Sequence, residues 1–149
     1  MDASLFRYEP DPDNPGWMTW DLIEPGRFNG LLGPLRVRRE EERARCRMFP
    51  DRQHSNLSDA VHGGVLLSLI DVSFFAGAHV LGVENAGRGV TVDCSVQFLS
   101  AGRIGTPLDA VVEKLRETGR MVFLRGIVEQ EEEKVAAFSG VIRKVSRPS

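Results

Sequence analysis

The chain is poor in cysteine and histidine and carries no surplus of either charge, and each shortage removes a class of function. Only two cysteines occur, Cys46 and Cys94, with neither metal-ligand spacing nor the density of a disulfide framework, as expected of a reducing compartment. The three histidines, His54, His62 and His79, are too scattered to make a metal site, so no metal is expected. Nineteen basic residues against 21 acidic ones leave a net charge of −2. That balance gives no broad electrostatic grip on nucleic acid or an anionic membrane, and neither is an expected partner. A Walker phosphate loop and a Gly-x-Ser-x-Gly nucleophile elbow are both missing. No basic-then-apolar leader opens the sequence, so the expected location is cytoplasmic.

What is present is 149 residues, 42% apolar and 27% charged, the make-up of one globular domain. The longest apolar run, Ala60 to Gly82, has the length of a membrane span. It nevertheless holds Asp71, two histidines, two serines and four glycines, all awkward in hydrocarbon. A helix apolar on nearly every side is otherwise buried in protein, which predicts a core helix over about residues 62–82.

Residues 1–34 read as a separate arm: they hold five of the eight prolines, both tryptophans (Trp17, Trp20), Phe6, Tyr8 and Phe28. Proline at that density blocks long regular structure, and the aromatics point to docking, first of all on the arm's own domain. A single domain is expected over residues 35–149. In residues 35–49 apolar Leu35, Val37, Ala44, Cys46 and Met48 interleave with arginines. This is the period of two of half-solvated strands, with the turn at Glu40, Glu41 and Glu42. Four more strands are expected over 89–101, 107–118, 120–131 and 134–145, joined by short turns and therefore antiparallel. Val90, Val92, Cys94, Val96 and Phe98 alternate strictly in the first of them. The result is an α+β domain: one long helix against an antiparallel sheet of five to six strands.

Asp71 is out of place in such a helix. An unpaired buried carboxylate costs several kcal/mol, so it must be paired, protonated or open to a cleft. Its own helical face carries Gly64, Ser68, Phe75 and Ala78 and no basic residue. That favours a carboxylate facing a cleft as nucleophile or general base, with Ser68 and Phe75 as pocket candidates. Phe74 and Phe75 point about 100° apart, so only one of them can line a pocket. Gly63 and Gly64 fall in the first helical turn, where backbone N–H groups lack intrahelical partners and the dipole favours negative charge. They are candidates for an oxyanion hole. His62 and Asp71, nine positions apart, lie roughly 13 Å apart along one helix. A carbonyl held at the glycines is then out of reach of the same chain's Asp71, and a catalytic site predicts a twofold dimer with two shared sites.

The run Asn56-x5-His62-Gly63-Gly64-x6-Asp71, followed by Gly89-Val90-Thr91-Val92-Asp93 and Phe98-Leu99-Ser100-Ala101, resembles the hotdog-fold acyl-CoA thioesterases of the phenylacetate-degradation (PaaI-type) branch. The resemblance covers about residues 35–145. It implies a hotdog fold and hydrolysis of an acyl-CoA thioester, with no cofactor beyond the CoA of the substrate, and Phe74 and Phe75 beside Asp71 suit an aryl- or medium-chain acyl group. It also implies a homodimer that can pair into a homotetramer. Carried over by position, it makes Asp71 the catalytic carboxylate, and Gly63 or Gly64 the backbone donor to the thioester carbonyl. Asn56 would orient the carbonyl or the water, and Thr91 would hold water near the aspartate of the other subunit. His62 would brace the loop. Arg88 and Arg103 are candidates for CoA phosphate contacts. Two departures stand out: Asp59 where relatives often have glycine, a position aspartate can hold in a left-handed conformation, and Thr91 where many have serine. The alternative is a non-catalytic acyl-CoA-binding or regulatory module of the same fold. Hotdog dehydratases resemble one another in a histidine five residues after the aspartate, where this chain has Ala76.

Overall fold

The computed structural model describes residues 5–145. Helix α1 spans Gly63–Val80. His62 is its N-cap, with extended backbone (φ −61°, ψ 136°) and Nδ1 accepting from the Gly64 N–H. At the other end Gly82 takes a positive φ of 86°, a conformation that side chains resist, and the chain turns out of the helix. The sequence-based span of 62–82 thus included the cap and the closing turn. Leu66, Leu69, Ile70, Val72, Phe74, Ala76 and Ala78 are buried on more than one side of α1, so the sheet has to wrap it.

The main sheet has seven antiparallel strands in the order β2-β4-β5-β7-β8-β9-β6. In chain order these are β2 (Met18–Thr19), β4 (Arg36–Glu40), β5 (Arg43–Met48), β6 (Val90–Phe98), β7 (Leu108–Glu117), β8 (Met121–Gln130) and β9 (Glu133–Arg143). A separate two-stranded ribbon joins β1 (Phe6–Arg7) to β3 (Asp21–Leu22). Six of the seven sheet strands match the hydrophobic alternation; the seventh is the two-residue β2 of the arm. Placement differs from expectation at β6. It does not pair with the next strand, β7, but with β9 at the far edge of the sheet, so the connection through residues 99–107 crosses over rather than turns. That link is tied beneath the start of α1: Val61 N–H donates to the Gly102 carbonyl (2.9 Å) and Gly105 N–H to the Pro50 carbonyl (2.9 Å).

Small residues set the helix close to the sheet. A Cβ at Gly77 would stand 2.3 Å from Val112 Cγ1, and one at Gly140 2.3 Å from Phe74 Cζ. Both glycines are therefore required by packing. On the β4–β5 hairpin, Val37, Ala44, Cys46 and Met48 are buried under α1, and burial pushes the Cys46 thiol up to about 12. The intervening arginines form a partly buried ion network on the outer face. Arg45 reaches Glu40 (2.8 Å), Asp109 (2.9 Å) and Glu129 (2.7 Å), and Arg47 reaches Asp109 (2.7 Å).

The described part of the arm packs on the domain. Trp20 is only 2% exposed. It stacks on Phe6 (centroids 4.6 Å apart, planes at 21°) and meets His79 near the end of α1 at 5.4 Å, and partial burial lowers the His79 pKa. Trp17 lies against the Arg38 and Arg47 guanidiniums, 4.2 and 4.6 Å from its ring centroid, a cation–π arrangement. Arg36 joins the two halves of the arm to β4 through Asp11 (2.6 Å) and Asp21 (3.2 Å).

The Asn14 side chain, the Asp13 N–H and Arg36 together hold the Asp11 carboxyl down from 3.8 to about 2. A depressed carboxyl contributes its stabilisation above the unfolded value and loses it as pH falls through the folded one. Arm docking should therefore hold above pH 3.8 and loosen between 3.8 and about 2. Tryptophan emission should report a red shift in that window, and Asp11→Asn should remove its pH dependence.

Candidate active site

Asp71 sits half-buried in the middle of α1. Its carboxylate borders a cavity of about 150 Å³ whose walls include Phe75 and Gly89 together with Phe6, Trp20 and Asn29 of the arm. Among the described residues no basic side chain pairs with it. Its hydrogen-bond donor is Thr91, whose hydroxyl binds Asp71 Oδ1 within the same chain.

That contact exists because β6 does not alternate strictly. Thr91 pairs with Ile142 and Asp93 with Val141, leaving Val92 as an extra residue in a β-bulge. A bulge shifts every side chain before it to the other face. Cys94, Val96 and Phe98 lie opposite the inward-facing Gly140, Phe138 and Ala136, and the bulge lets Thr91, opposite buried Ile142, face inward as well. Unbroken alternation would have sent the hydroxyl outward. Thr91, expected to hold water near the other subunit's aspartate, donates to the aspartate of its own chain. Cys94 is the stronger intrinsic nucleophile nearby. Partial burial and the nearby Asp71 and Asp93 carboxylates raise its thiol pKa, which favours the protonated, less nucleophilic thiol.

The structure separates the two glycines. The Gly64 N–H is taken by His62 Nδ1 at 2.8 Å, and a Cβ at Gly64 would stand 3.1 Å from that same nitrogen. Gly64 makes room for the cap. The Gly63 N–H, by contrast, has no acceptor among the described residues, so of the two candidate donors Gly63 is the one available to a carbonyl oxygen. Because a backbone N–H can only donate, His62 Nδ1 is the acceptor in this cap. His62 is thereby a brace.

Asn56 accepts from the Ser58 and Ala60 N–H groups through Oδ1 (2.8 and 3.1 Å), leaving its amide N–H₂ unpartnered among the described residues. Asp59 has φ 60°, so aspartate holds the left-handed turn. Asn56 and His62 share an open concavity on this loop. Ser68 donates back to the Gly64 carbonyl at 2.7 Å and keeps only acceptor capacity. Phe74 is fully buried against Phe138, whereas Phe75 lines the cavity. Arg88 is exposed on the 81–89 link. Arg103 is engaged by Glu131 and Glu133, each at 3.3 Å.

The site therefore has two separated parts in one chain: an aligned carboxylate at mid-helix and a free N–H at the helix start. Sequence reasoning missed the bulge, the approach of Cys94, and the arm's share in the Asp71 cavity. The aromatic density of the arm was the signal for the last.

A family model described as the thioesterase superfamily matches residues 59–137. Among curated proteins, mouse acyl-coenzyme A thioesterase 13 is 28% identical over 83 residues, covering 55% of this chain and 57% of that protein. The human protein of the same name is 27% identical over 79 residues, covering 52% and 54%. The chain thus spans little more than half the length of these relatives. Among solved structures, the PaaI protein of the E. coli phenylacetic acid degradation operon superposes with TM-score 0.65 at 24% identity, over 77% of this chain and 81% of that one. Zebrafish thioesterase superfamily member 2 gives 0.71 at 20% identity, over 83% and 89%. A hypothetical thioesterase from Streptococcus pneumoniae, solved with coenzyme A, gives 0.65 at 18%, over 76% and 87%. These likenesses establish the hotdog fold.

The brace at the helix start is testable without any assay of activity. His62→Ala removes the acceptor of the Gly64 N–H and should cost about 0.5–2 kcal/mol in urea unfolding, with His62→Asn recovering most of it.

Proposed function

The chain belongs to the thioesterase superfamily, and from that premise we propose that it hydrolyses acyl-CoA thioesters, with an aryl- or medium-chain acyl group and no cofactor beyond the CoA of the substrate. One observation carries the reading: a half-buried carboxylate with no counter-cation among the described residues, aligned by Thr91 and opening into a cavity. The names of the curated relatives and the coenzyme A in one structural neighbour support the substrate class.

In this mechanism the Gly63 N–H donates to the thioester oxygen as it gains charge. Asp71 adds to the carbonyl carbon, or takes a proton from a water that adds. Either route breaks the C–S bond, consumes one water and releases the free acid and the CoA thiol. An N–H aimed at the developing oxyanion is worth about 10²–10³ in rate.

Gly63 and Asp71 meet only across two chains, and β6 supplies the means. It pairs with β9 on one side alone, and its Val90, Val92 and Phe98 are more than half exposed. Such an edge is a template for another strand. Along α1, Thr91 lies beside Asp71 and Phe98 beside Gly63, within 3.8 Å of where a Cβ would be. Antiparallel pairing of two β6 strands about the Cys94–Ser95 step places the Phe98–Gly63 end of one chain opposite the Thr91–Asp71 end of the other. The result is a homodimer with two equivalent sites, which can pair further into a tetramer.

The test follows free thiol from a panel of acetyl, decanoyl, palmitoyl, benzoyl and phenylacetyl CoA thioesters. Asp71→Ala should abolish turnover. Gly63→Pro deletes only the N–H at a helix position that tolerates proline, and should lower kcat about 10²–10³-fold. Co-refolding the two inactive variants should restore about a quarter of wild-type activity, because half the dimers are mixed and each has one intact site. Wild-type protein that is folded, dimeric and inactive on the whole panel would overturn the reading in favour of a binding module.

A further inference from the structure

Three of the residues that line the Asp71 cavity lie far along the chain from the matched family region, which begins at residue 59. Phe6, Trp20 and Asn29 of the arm wall it, and the same three residues with Val72 also wall a second cavity of about 350 Å³ under residues 21–35. The stacked Phe6–Trp20 pair is thus common to both chambers. Its placement is held from three sides. Phe6 is paired with Leu22 in the β1–β3 ribbon, Tyr8 packs edge-on to Trp20 at 5.9 Å, and Thr19 of the arm donates to the Arg7 carbonyl at 2.7 Å.

The inner chamber is small and aromatic. A cavity of about 150 Å³ is of the size that accepts one benzene ring, and here three rings, Phe6, Trp20 and Phe75, line it beside the polar Asp71 and Asn29. An extended chain of ten carbons needs the second cavity as well, and the stacked pair lines both. Trp20 itself is a costly choice of wall. Its Nε1–H is buried and has no acceptor among the described residues, a debt phenylalanine would not incur. A buried donor left unpaired in a native protein calls for a reason, and the breadth of the indole across both chambers supplies one.

We infer that the Phe6–Trp20 stack determines acyl specificity, restricting the inner chamber to an acyl group carrying a single aromatic ring and closing off the outer chamber to longer chains. The inference rests on the thioesterase reading of Asp71 and adds the part of the chain that selects the substrate. Phe6 is the place to test it, because it is half-buried and its removal leaves the helix–sheet core intact.

The ratio of kcat/KM for decanoyl-CoA to that for phenylacetyl-CoA is measured in the wild type, Phe6→Ala and Phe6→Leu. Opening the wall should raise the ratio at least about tenfold in Phe6→Ala, within the range that pocket contacts of one or two carbons command, and less in Phe6→Leu. An unchanged ratio in proteins that turn over both substrates would overturn the inference while leaving the thioesterase reading intact. Binding separates the two failures in the other direction. In Trp17→Phe protein Trp20 is the sole tryptophan, and phenylacetate and decanoate are titrated against its emission. Phenylacetate should perturb it before, and decanoate only after, Phe6 is replaced by alanine. That pattern supports the wall even in a protein without turnover. Trp20 emission indifferent to both acids in both proteins would overturn it.

Discussion

The hydrogen bond from Thr91 to Asp71 ties together more of this structure than any other contact. A carboxylate in the middle of an apolar helix is tolerable only with a donor, and the neighbouring helix residues offer none. The donor comes from β6, which must carry its hydroxyl inward at one position while keeping Cys94, Val96 and Phe98 inward further along. Strict alternation cannot satisfy both demands. The extra residue at Val92 does, and its own side chain is left more than half exposed on the sheet edge. One bulge thus aligns the carboxylate and shapes the edge on which the proposed dimer depends.

Much of this was legible in the amino-acid order, and the illegible part has a physical pattern. Period-two alternation located the β4–β5 hairpin and the four later strands, because one face of each lies toward α1, although on β6 only Val96 is even partly buried. The all-round apolarity of residues 60–82 located the helix for the same reason. Asp71 and the His62-Gly63-Gly64 turn stood out because they violate that local logic. The β6–β9 pairing did not, since strand order at a sheet edge depends on where the 99–107 link is anchored, a contact between residues far apart in sequence. The bulge was equally hidden: Val90-Thr91-Val92-Asp93 fits unbroken alternation as well as the observed register. Which glycine keeps a free N–H could be decided only by the direction in which the His62 ring turns.

The arm shows how a general scaffold acquires a particular pocket. Residues 59–137 hold the matched family region, with Asp71, Thr91 and Gly63 inside it. Two of the three rings that line the Asp71 cavity, Phe6 and Trp20, lie outside it, on a proline-rich segment fixed by the Asp11–Arg36 ion pair and the Trp17 cation–π contacts. In the proposed reading, chemistry and selection are therefore borne by different parts of the chain. Changes in the arm can alter what the cavity accepts without disturbing the helix that carries the carboxylate, because the arm meets α1 through side chains rather than shared backbone hydrogen bonds.

The same separation is the reason the proposed site calls for a second copy of the chain. A helix start offers a free N–H and a helix middle offers a shielded carboxylate, but the rise of one helix keeps them roughly 12 Å apart. Folding the chain back to unite them would require breaking the helix whose burial stabilises the domain. Pairing two intact helices around a twofold axis unites them with no such cost, and it also covers an edge strand that is otherwise exposed and apolar. In the proposed dimer one twofold axis answers both the separation of Gly63 from Asp71 and the unpaired β6 edge.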